Sequence, residues 1–213
     1  MLHIQRLTFN PYQENTYVLY DEKGRAAIID PGMYGPQEQA HFLSFIQEHK
    51  LQPILLLNTH CHIDHVLGNR FVYEQYGLLP QFSELELPLL IEVQNYAPQM
   101  GIQYDVSPIG ETFLSVSDEI LIGEERLSIL FAPGHSPGHL CFYHAEQGFV
   151  IGGDVLFQNS IGRTDLPGGN HQQLLDSIAN NLYTLPDDTV VYPGHGPETT
   201  VGHEKRHNPF VRG

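Results

Sequence analysis

A short segment after an apolar run concentrates side chains that can bind metal ions. The segment NTHCHIDHVLGNR, which begins at Asn58, places three histidines, an aspartate and a cysteine between His60 and His65. Residues two apart in an extended segment point the same way, so His60 and His62 are placed to bind one ion. Asp64 and His65 follow a turn and are placed to face a second ion. Imidazole and carboxylate donors suit zinc, iron and manganese, so the segment predicts a metal site.

Three further segments place a histidine or an aspartate in a turn rich in glycine and proline, at the end of a β-prone run. They are residues 131–139, 150–154 and 191–196. Glycine and proline constrain a loop backbone, and metal ligands need closely defined positions. Strand ends at one edge of a sheet are where such loops converge. We therefore expect His135, Asp154 and His195 to complete the metal site.

Three neighbouring residues are expected to have other roles. His139 lies four residues past a candidate ligand, so it is expected to support the site without binding metal. Cys61 lies between two candidate ligands and points away from both, which predicts a buried packing role. Cys141 falls in a predicted strand and is expected in the core.

The chain around these ligands is predicted to alternate between strands and helices. Predicted strands cover residues 4–9, 16–20, 26–29, 54–57, 120–122, 127–131, 140–144, 149–151 and 189–191. Predicted helices cover residues 36–49, 66–76, 85–96 and 171–183. The helix at 85–96 is expected to be interrupted early by Pro88. Two rounds of strands followed by a helix predict a layered α/β protein with two sheets inside helices.

Composition narrows the classes of partner. The chain has 213 residues and a formal net charge of −15. That charge argues against nucleic acid and against an anionic membrane surface as partners, but a few local cations could still bind a small anion. The sequence shows no signal peptide and no apolar run long enough to span a bilayer. With only two cysteines, far apart, a reducing cytoplasmic location is expected.

The candidate ligands resemble a known family in type, order and local sequence. The matching segments are Thr59-His-Cys-His-Ile-Asp-His65, Gly134-His135, Gly153-Asp154 and Gly194-His195, which resemble the five motif positions of the metallo-β-lactamase superfamily. This resemblance implies a four-layer αββα sandwich, expected here as one domain over residues 1–213. It also implies that His60, His62 and His135 hold one metal, that Asp64, His65 and His195 hold a second, and that Asp154 bridges them.

Within that superfamily, the chain most resembles hydroxyacylglutathione hydrolase, or glyoxalase II, in its short bacterial form of the YcbL type. Asp154-Val-Leu-Phe followed by Ile161-Gly-Arg163 resembles the family loop whose last cation contacts glutathione, with arginine where lysine is common. Full-length relatives carry a C-terminal helical domain with further basic contacts, which we expect to be absent here. Pro197 stands where the family often has tyrosine. Lys205 and Arg206, with Arg163, are therefore the candidate substrate-binding cations.

The resemblance implies a metal-dependent thioesterase that converts S-D-lactoylglutathione to D-lactate and glutathione. Two divalent ions, zinc or else iron or manganese, would generate a bridging hydroxide near neutral pH and stabilise the oxyanion. A thiolate leaves readily, so no strong general acid is required. Asp64 would be a ligand first, with a secondary catalytic role in orienting the hydroxide. The expected partner is a small glutathione-derived thioester, and the expected assembly is a monomer or small homo-oligomer.

Other functions are compatible with the same residues. A persulfide dioxygenase of this fold would use a single iron on His60, His135 and Asp154. A lactonase remains open, as does a metal-binding or ligand-sensing module without catalysis. A β-lactamase is disfavoured because those enzymes lack the bridging aspartate and are normally exported.

Overall fold

The computed structural model describes the whole chain, from Met1 to Gly213. The chain divides into two compact units. The first comprises Met1–Leu114 and Leu121–Glu125, and the second comprises Ser115–Ile120 and Arg126–Gly213. Each unit combines strands with helices, as the sequence predicts.

The first sheet has five strands in the order β1-β2-β3-β4-β5. Its strands are β1 (Leu2–Phe9), β2 (Glu14–Asp21), β3 (Arg25–Ile29), β4 (Gln52–Leu57) and β5 (Pro80–Gln81). Strand β2 is antiparallel to both β1 and β3, whereas β4 is parallel to both β3 and β5. Since β3 and β4 run the same way, their carboxyl ends share one edge of the sheet. Asp30 and the histidine segment begin at that edge.

Helices cover the first unit. They are α1 (Gly35–Glu48), α2 (Ile63–Val66), α3 (Asn69–Tyr76) and α4 (Leu87–Tyr96), with 3-10 turns at Glu84–Glu86 and Ala97–Met100. Phe42 and Ile46 of α1 share one buried core cluster with Ile28 and Leu56 of the sheet. This burial accounts for the spacing of apolar residues along α1.

The second sheet has six strands in the order β13-β12-β9-β8-β7-β6. Its strands are β6 (Glu119–Ile122), β7 (Glu125–Phe131), β8 (Leu140–His144), β9 (Phe149–Gly153), β12 (Val190–Pro193) and β13 (Thr199–Thr200). A separate two-stranded hairpin joins β10 (Leu156–Phe157) to β11 (Ser160–Ile161). Because β9 and β12 are parallel, Asp154 and His195 follow strands that end at the same edge.

Two helices complete the second unit, α5 (His171–Ser177) and α6 (Val201–His207). A π-helical turn at Ile178–Leu182 extends α5. Leu174 and Ile178 from this helical stretch, Val201 from α6 and Val150 from β9 belong to one buried cluster.

Most predicted elements are confirmed, with three corrections. The predicted helix 66–76 is two helices, α2 and α3, which separate at Gly68, where the backbone N–H donates to the carbonyl of Pro31 at 2.7 Å and not within a helix. A Cβ at Gly68 would lie 2.0 Å from the Met33 sulfur. Pro88 lies in the first turn of α4 and does not interrupt it, since a helix tolerates proline there. The short strands β5, β10, β11 and β13 and the helix α6 were not predicted from the sequence. No helix in the structure is both long enough and apolar enough to cross a membrane.

Candidate metal centre

One group of candidate ligands, in the first unit, lies between the end of β4 and α2. The ring centroids of His60 and His62 are 4.8 Å apart, and those of His60 and His65 are 4.1 Å apart. His60 and His65 are fully buried. Asp64 Oδ2 lies 3.7 Å from His65 Nε2. The four residues that the sequence singles out in this segment are therefore brought together.

Asp30, at the end of β3, holds this cluster in place through hydrogen bonds to Thr59 and His65. Its Oδ1 accepts the backbone N–H of Thr59 at 2.7 Å, and its Oδ2 accepts the Thr59 hydroxyl at 2.6 Å. Oδ2 also lies 3.1 Å from Nδ1 of His65. This carboxylate holds the Nδ1–H form of His65, which leaves Nε2 as the metal ligand.

Thr59 orients the ring of His60 in the same way, through a hydrogen bond to its Nδ1. The hydroxyl of Thr59 donates to Asp30, so it accepts from Nδ1 of His60, which lies 3.0 Å away. His60 is thereby also oriented with Nε2 as its ligand atom. Asp30, His60 and His65 offer ligand-type atoms within 4.8 Å of one another. Asp30 and Thr59 engage the Nδ1 atoms of the two histidines, so their Nε2 atoms are left for a metal, and imidazole nitrogen fits zinc, iron or manganese.

Glu14 is a second buried carboxyl group near His65. Its Oε1 lies 3.9 Å from Nδ1 of His65, and its Oε2 accepts the hydroxyl of Thr16 at 3.0 Å. Burial raises the pKa of Glu14 well above its ordinary value; His65 partly offsets this effect and Asp30 adds to it. The shift favours the protonated form of Glu14.

Contacts to the backbone hold the ligand segment itself. Glu86 is fully buried, and its Oε2 accepts the N–H of Cys61 at 2.9 Å, between the two histidines. The side chain of Asn58 donates to the carbonyl of His65, and that of Asn10 donates to the carbonyl of Asp64, each at 3.0 Å. The segment is thus held from several elements, as a metal site requires.

Both cysteines are buried and neither forms a disulfide. Cys61 belongs to a core cluster with Ile63 and Val66, and Cys141 lies within β8. Burial raises the pKa of the Cys61 thiol, and Glu86 and Asp30 raise it further. The packing roles predicted for both cysteines are confirmed.

A second group of candidate ligands lies in the second unit, around Asp154. Oδ2 of Asp154 lies 3.6 Å from Nε2 of His135 and 3.5 Å from Nε2 of His195. One carboxylate oxygen thus sits beside the Nε2 atoms of two imidazoles. That arrangement suits a carboxylate shared by two metal ions.

Hydrogen bonds also orient His135 and Asp154 in this second group of candidate ligands. Nδ1 of His135 lies 2.8 Å from the carbonyl oxygen of Arg163, so Nδ1 donates and Nε2 is the ligand atom. His139 accepts the backbone N–H of Asp154 on Nε2 at 3.0 Å. His139 therefore positions the aspartate through its backbone.

Glycine is required where the chain passes these ligands. A Cβ on Gly162 would lie 1.9 Å from the carbonyl oxygen of Asp154 and 3.2 Å from Nδ1 of His135. A Cβ on Gly134 would lie 2.2 Å from the backbone nitrogen of Leu174. A side chain at Gly162 would therefore displace the backbone of Asp154, and one at Gly134 would displace the backbone of α5.

The three candidate substrate-binding cations are each paired with an aspartate. Exposed Arg163 donates Nε and Nη2 to the two carboxylate oxygens of Asp165, at 2.7 and 2.8 Å. Lys205 and Arg206 lie on α6, and their nitrogens are 2.7 and 3.5 Å from Asp187. A substrate carboxylate would compete with these partners, and the binding roles of all three cations stay predictions.

Four supporting residues were not identified as site residues from the sequence. Asp30 carried a usable signal, because it begins an Asp-Pro-Gly turn at a strand end. Thr59 begins the matched motif at residues 59–65, but its bond to Asp30 is a long-range contact. Glu14 and Glu86 carried no signal, since their roles depend on long-range contacts that no local pattern records.

Comparisons with known proteins agree with this geometry. The family model of the metallo-β-lactamase superfamily matches residues 9–195. The probable metallo-hydrolase YqgX of Bacillus subtilis is 38% identical over 98% of this chain and 97% of its own. The hydroxyacylglutathione hydrolase GloC of Haemophilus influenzae is 35% identical over 99% of this chain and 98% of its own.

Solved structures give the same result. BLEG-1, described as a B3 metallo-β-lactamase, is 34% identical with a TM-score of 0.90, over 99% of this chain and all of its own. TTHA1623, solved in a di-iron-bound form, is 38% identical with a TM-score of 0.87, over 97% of this chain and all of its own. These matches confirm the predicted fold class. The chain belongs to the metallo-β-lactamase superfamily.

Proposed function

We propose that this protein is a metal-dependent thioesterase that hydrolyses S-D-lactoylglutathione to D-lactate and glutathione. The two groups of candidate ligands would act together in one dinuclear centre. His60, His62 and His135 would hold one ion, and Asp64, His65 and His195 the other. Zinc is the first choice, with iron or manganese as alternatives.

The position of Asp154 is the observation that carries the proposal. Its Oδ2 lies within 3.6 Å of Nε2 on both His135 and His195, and the proposal assigns those two histidines to different ions. A carboxylate shared by two ions would hold them close enough to act on one water and one carbonyl. The relative GloC, which carries the name hydroxyacylglutathione hydrolase, supports the choice of a thioester.

The protein residues have defined tasks in this reaction. Two bound divalent ions would lower the pKa of a shared water and polarise the thioester carbonyl. Asp30 and the carbonyl of Arg163 keep His65 and His135 in the tautomer that presents Nε2. Asp64 is placed beside His65, where its carboxylate would accept a hydrogen bond from the attacking water and orient it.

The departing group explains why no separate acid is needed. A thiolate is a stable leaving group near neutral pH, because a thiol has a pKa of about 8.5. Arg163 would meet a carboxylate of the glutathione moiety with its planar guanidinium, in competition with Asp165.

The test is a set of substrates offered to protein whose bound metal has been quantified. Hydrolysis of S-D-lactoylglutathione is followed by the loss of thioester absorbance. A lactone and a β-lactam are tried in parallel, and glutathione persulfide is tried with an oxygen electrode. We expect turnover of the thioester, loss of turnover in His135→Ala, and full activity in His171→Ala, which alters an exposed histidine on α5. Oxygen uptake with persulfide, or cleavage of the β-lactam without thioester turnover, would refute the assignment.

A further inference from the structure

The C-terminal segment, residues 199–208, contains a buried carboxylate for which the reaction has no direct use. Glu204 on α6 is fully buried. Its oxygens accept the backbone N–H of Asn159 at 3.0 and 3.2 Å, the hydroxyl of Thr199 at 2.5 Å and the side-chain amide of Asn208 at 2.9 Å. A buried carboxylate is tolerated only with such a set of donors, so this network is a specific built feature.

Asn208 extends the network to Ser160, which follows Asn159 in the β10–β11 hairpin. Its side-chain amide also donates to the carbonyl of Ser160 at 3.0 Å. Asn159 and Ser160 lie at the turn of the β10–β11 hairpin, where Asn159 has a positive φ of 56°. The C-terminal segment therefore binds the tip of this hairpin through the N–H of one residue and the carbonyl of the next.

The β10–β11 hairpin and the residues that flank it adjoin the three candidate ligands of the second unit. Asp154 immediately precedes it, and its base closes through the N–H of Gly162 and the carbonyl of Val155 at 3.2 Å. Arg163, directly after it, accepts the bond from His135. The ring of Phe157 in β10 packs edge-on against the ring of His195, with centroids 6.3 Å apart.

We propose that Glu204 and Asn208 are positioning residues for the metal centre, acting through the β10–β11 hairpin. By fixing the hairpin tip, they hold the Arg163 carbonyl on His135, the Phe157 ring on His195 and the backbone that carries Asp154. This inference rests on the proposed function only in that the centre binds metal. It assigns to the C-terminal segment a structural task at the metal site that is separate from contact with substrate.

The expected effect is on metal affinity, measured without any substrate. In Glu204→Ala we expect the affinity for Co(II), determined by competition with a chelator, to fall about 10-fold or more, because partners outside the ligand shell are worth about 10- to 100-fold. The visible spectrum of bound Co(II) should also change, since it reports the ligand geometry. Glu204→Gln should rescue part of the loss, because its carbonyl oxygen can still accept the N–H of Asn159.

Tyr183→Phe is the matched control. Tyr183 donates its hydroxyl to the carbonyl of Val211, so this variant also loses a hydrogen bond that holds the chain end, but none that reaches the hairpin. It should keep wild-type Co(II) affinity and spectrum, even if its melting temperature falls. Asn208→Ala serves as the second test variant if Glu204→Ala does not fold.

The outcomes are distinct. Weaker Co(II) binding with an altered spectrum in the folded Glu204 or Asn208 variants, but not in Tyr183→Phe, supports the inference. Wild-type affinity and spectrum in a folded Glu204→Ala or Asn208→Ala overturn it, as does an equal loss in the control. A protein that binds Co(II) in this way but leaves S-D-lactoylglutathione intact would refute the proposed function and not this inference.

Discussion

Nδ1 of His65 lies 3.1 Å from Oδ2 of Asp30, and both side chains are buried. The same carboxylate oxygen receives the Thr59 hydroxyl, which contacts Nδ1 of His60. A single aspartate outside the proposed ligand set thus determines which nitrogen two histidines present. Its backbone has a φ of +51°, a left-handed conformation that is uncommon outside glycine.

Asp30→Asn should weaken metal binding while preserving the shape of the side chain. The amide that replaces Oδ2 would point an N–H at the Thr59 hydroxyl and at Nδ1 of His65, both of which donate to Oδ2 in the native protein. We expect metal affinity to fall about 10- to 100-fold, as measured by chelator competition. Asp176→Asn, on an exposed helical face, is the control, and an equal loss there would contradict the specific role of Asp30.

Gly162→Ala should displace Asp154 and His135 by a steric effect. The added methyl group would lie 1.9 Å from the carbonyl oxygen of Asp154, and overpacking of this kind costs about 1–3 kcal/mol of unfolding free energy. Thermal unfolding and metal content should both report the change. Gly110→Ala adds a methyl group at ordinary contact distance, 3.4 Å from Leu79, and should change neither quantity. Unchanged stability and metal content in Gly162→Ala would show that the backbone there relaxes freely.

Arg163→Ala should raise KM for S-D-lactoylglutathione and leave kcat nearly unchanged. Arg163 would bind a part of the substrate remote from the thioester, and such uniform binding affects KM alone. Arg163→Lys should show a smaller rise, because the charge remains but the planar fork is lost. Lys205→Ala and Arg206→Ala test the other two candidate cations in the same assay. A fall in kcat without a change in KM would place Arg163 in the chemistry and remove it from binding.

The Arg163–Asp165 pair should also be visible in a pH titration. The guanidinium bonded to Asp165 lowers the pKa of that carboxyl to about 2, from an ordinary 3.8. Because the folded-state pKa is the lower one, any stabilisation by the pair is complete above about pH 3.8 and is lost as the pH falls towards 2. Arg163→Ala should return the pKa of Asp165 towards 3.8, as followed by carboxyl NMR shifts. An unchanged pKa would mean that the pair does not persist in solution.

The sequence singles out the candidate ligands for a physical reason, and their metal-binding roles stay predictions. Ligand residues must have particular chemical types, and loops that place them need glycine and proline, so His60 to His65 and the turns at His135, Asp154 and His195 carry local signatures. The strands and helices followed from apolar periodicity in the same way.

The contacts that support the candidate ligands could not be predicted from local sequence patterns. Glu86 meets Cys61, and Glu204 meets Asn159, across 25 and 45 positions of the chain. A lone glutamate in a helical pattern is most often solvated, so its burial cannot be read from neighbouring residues. The split of the predicted helix 66–76 has the same origin, because Gly68 is constrained by Met33 and Pro31.

The most direct test of the central claim measures bound metal and S-D-lactoylglutathione hydrolysis in the same samples of wild-type protein and Asp154→Ala. The account predicts about two ions per chain with turnover in the wild type. In Asp154→Ala it predicts loss of at least one ion and a fall in rate of about 100-fold or more, since even outer partners are worth about 10- to 100-fold. An Asp154→Ala protein that keeps both its metal content and its rate would contradict the proposal of a dinuclear thioesterase bridged by this aspartate.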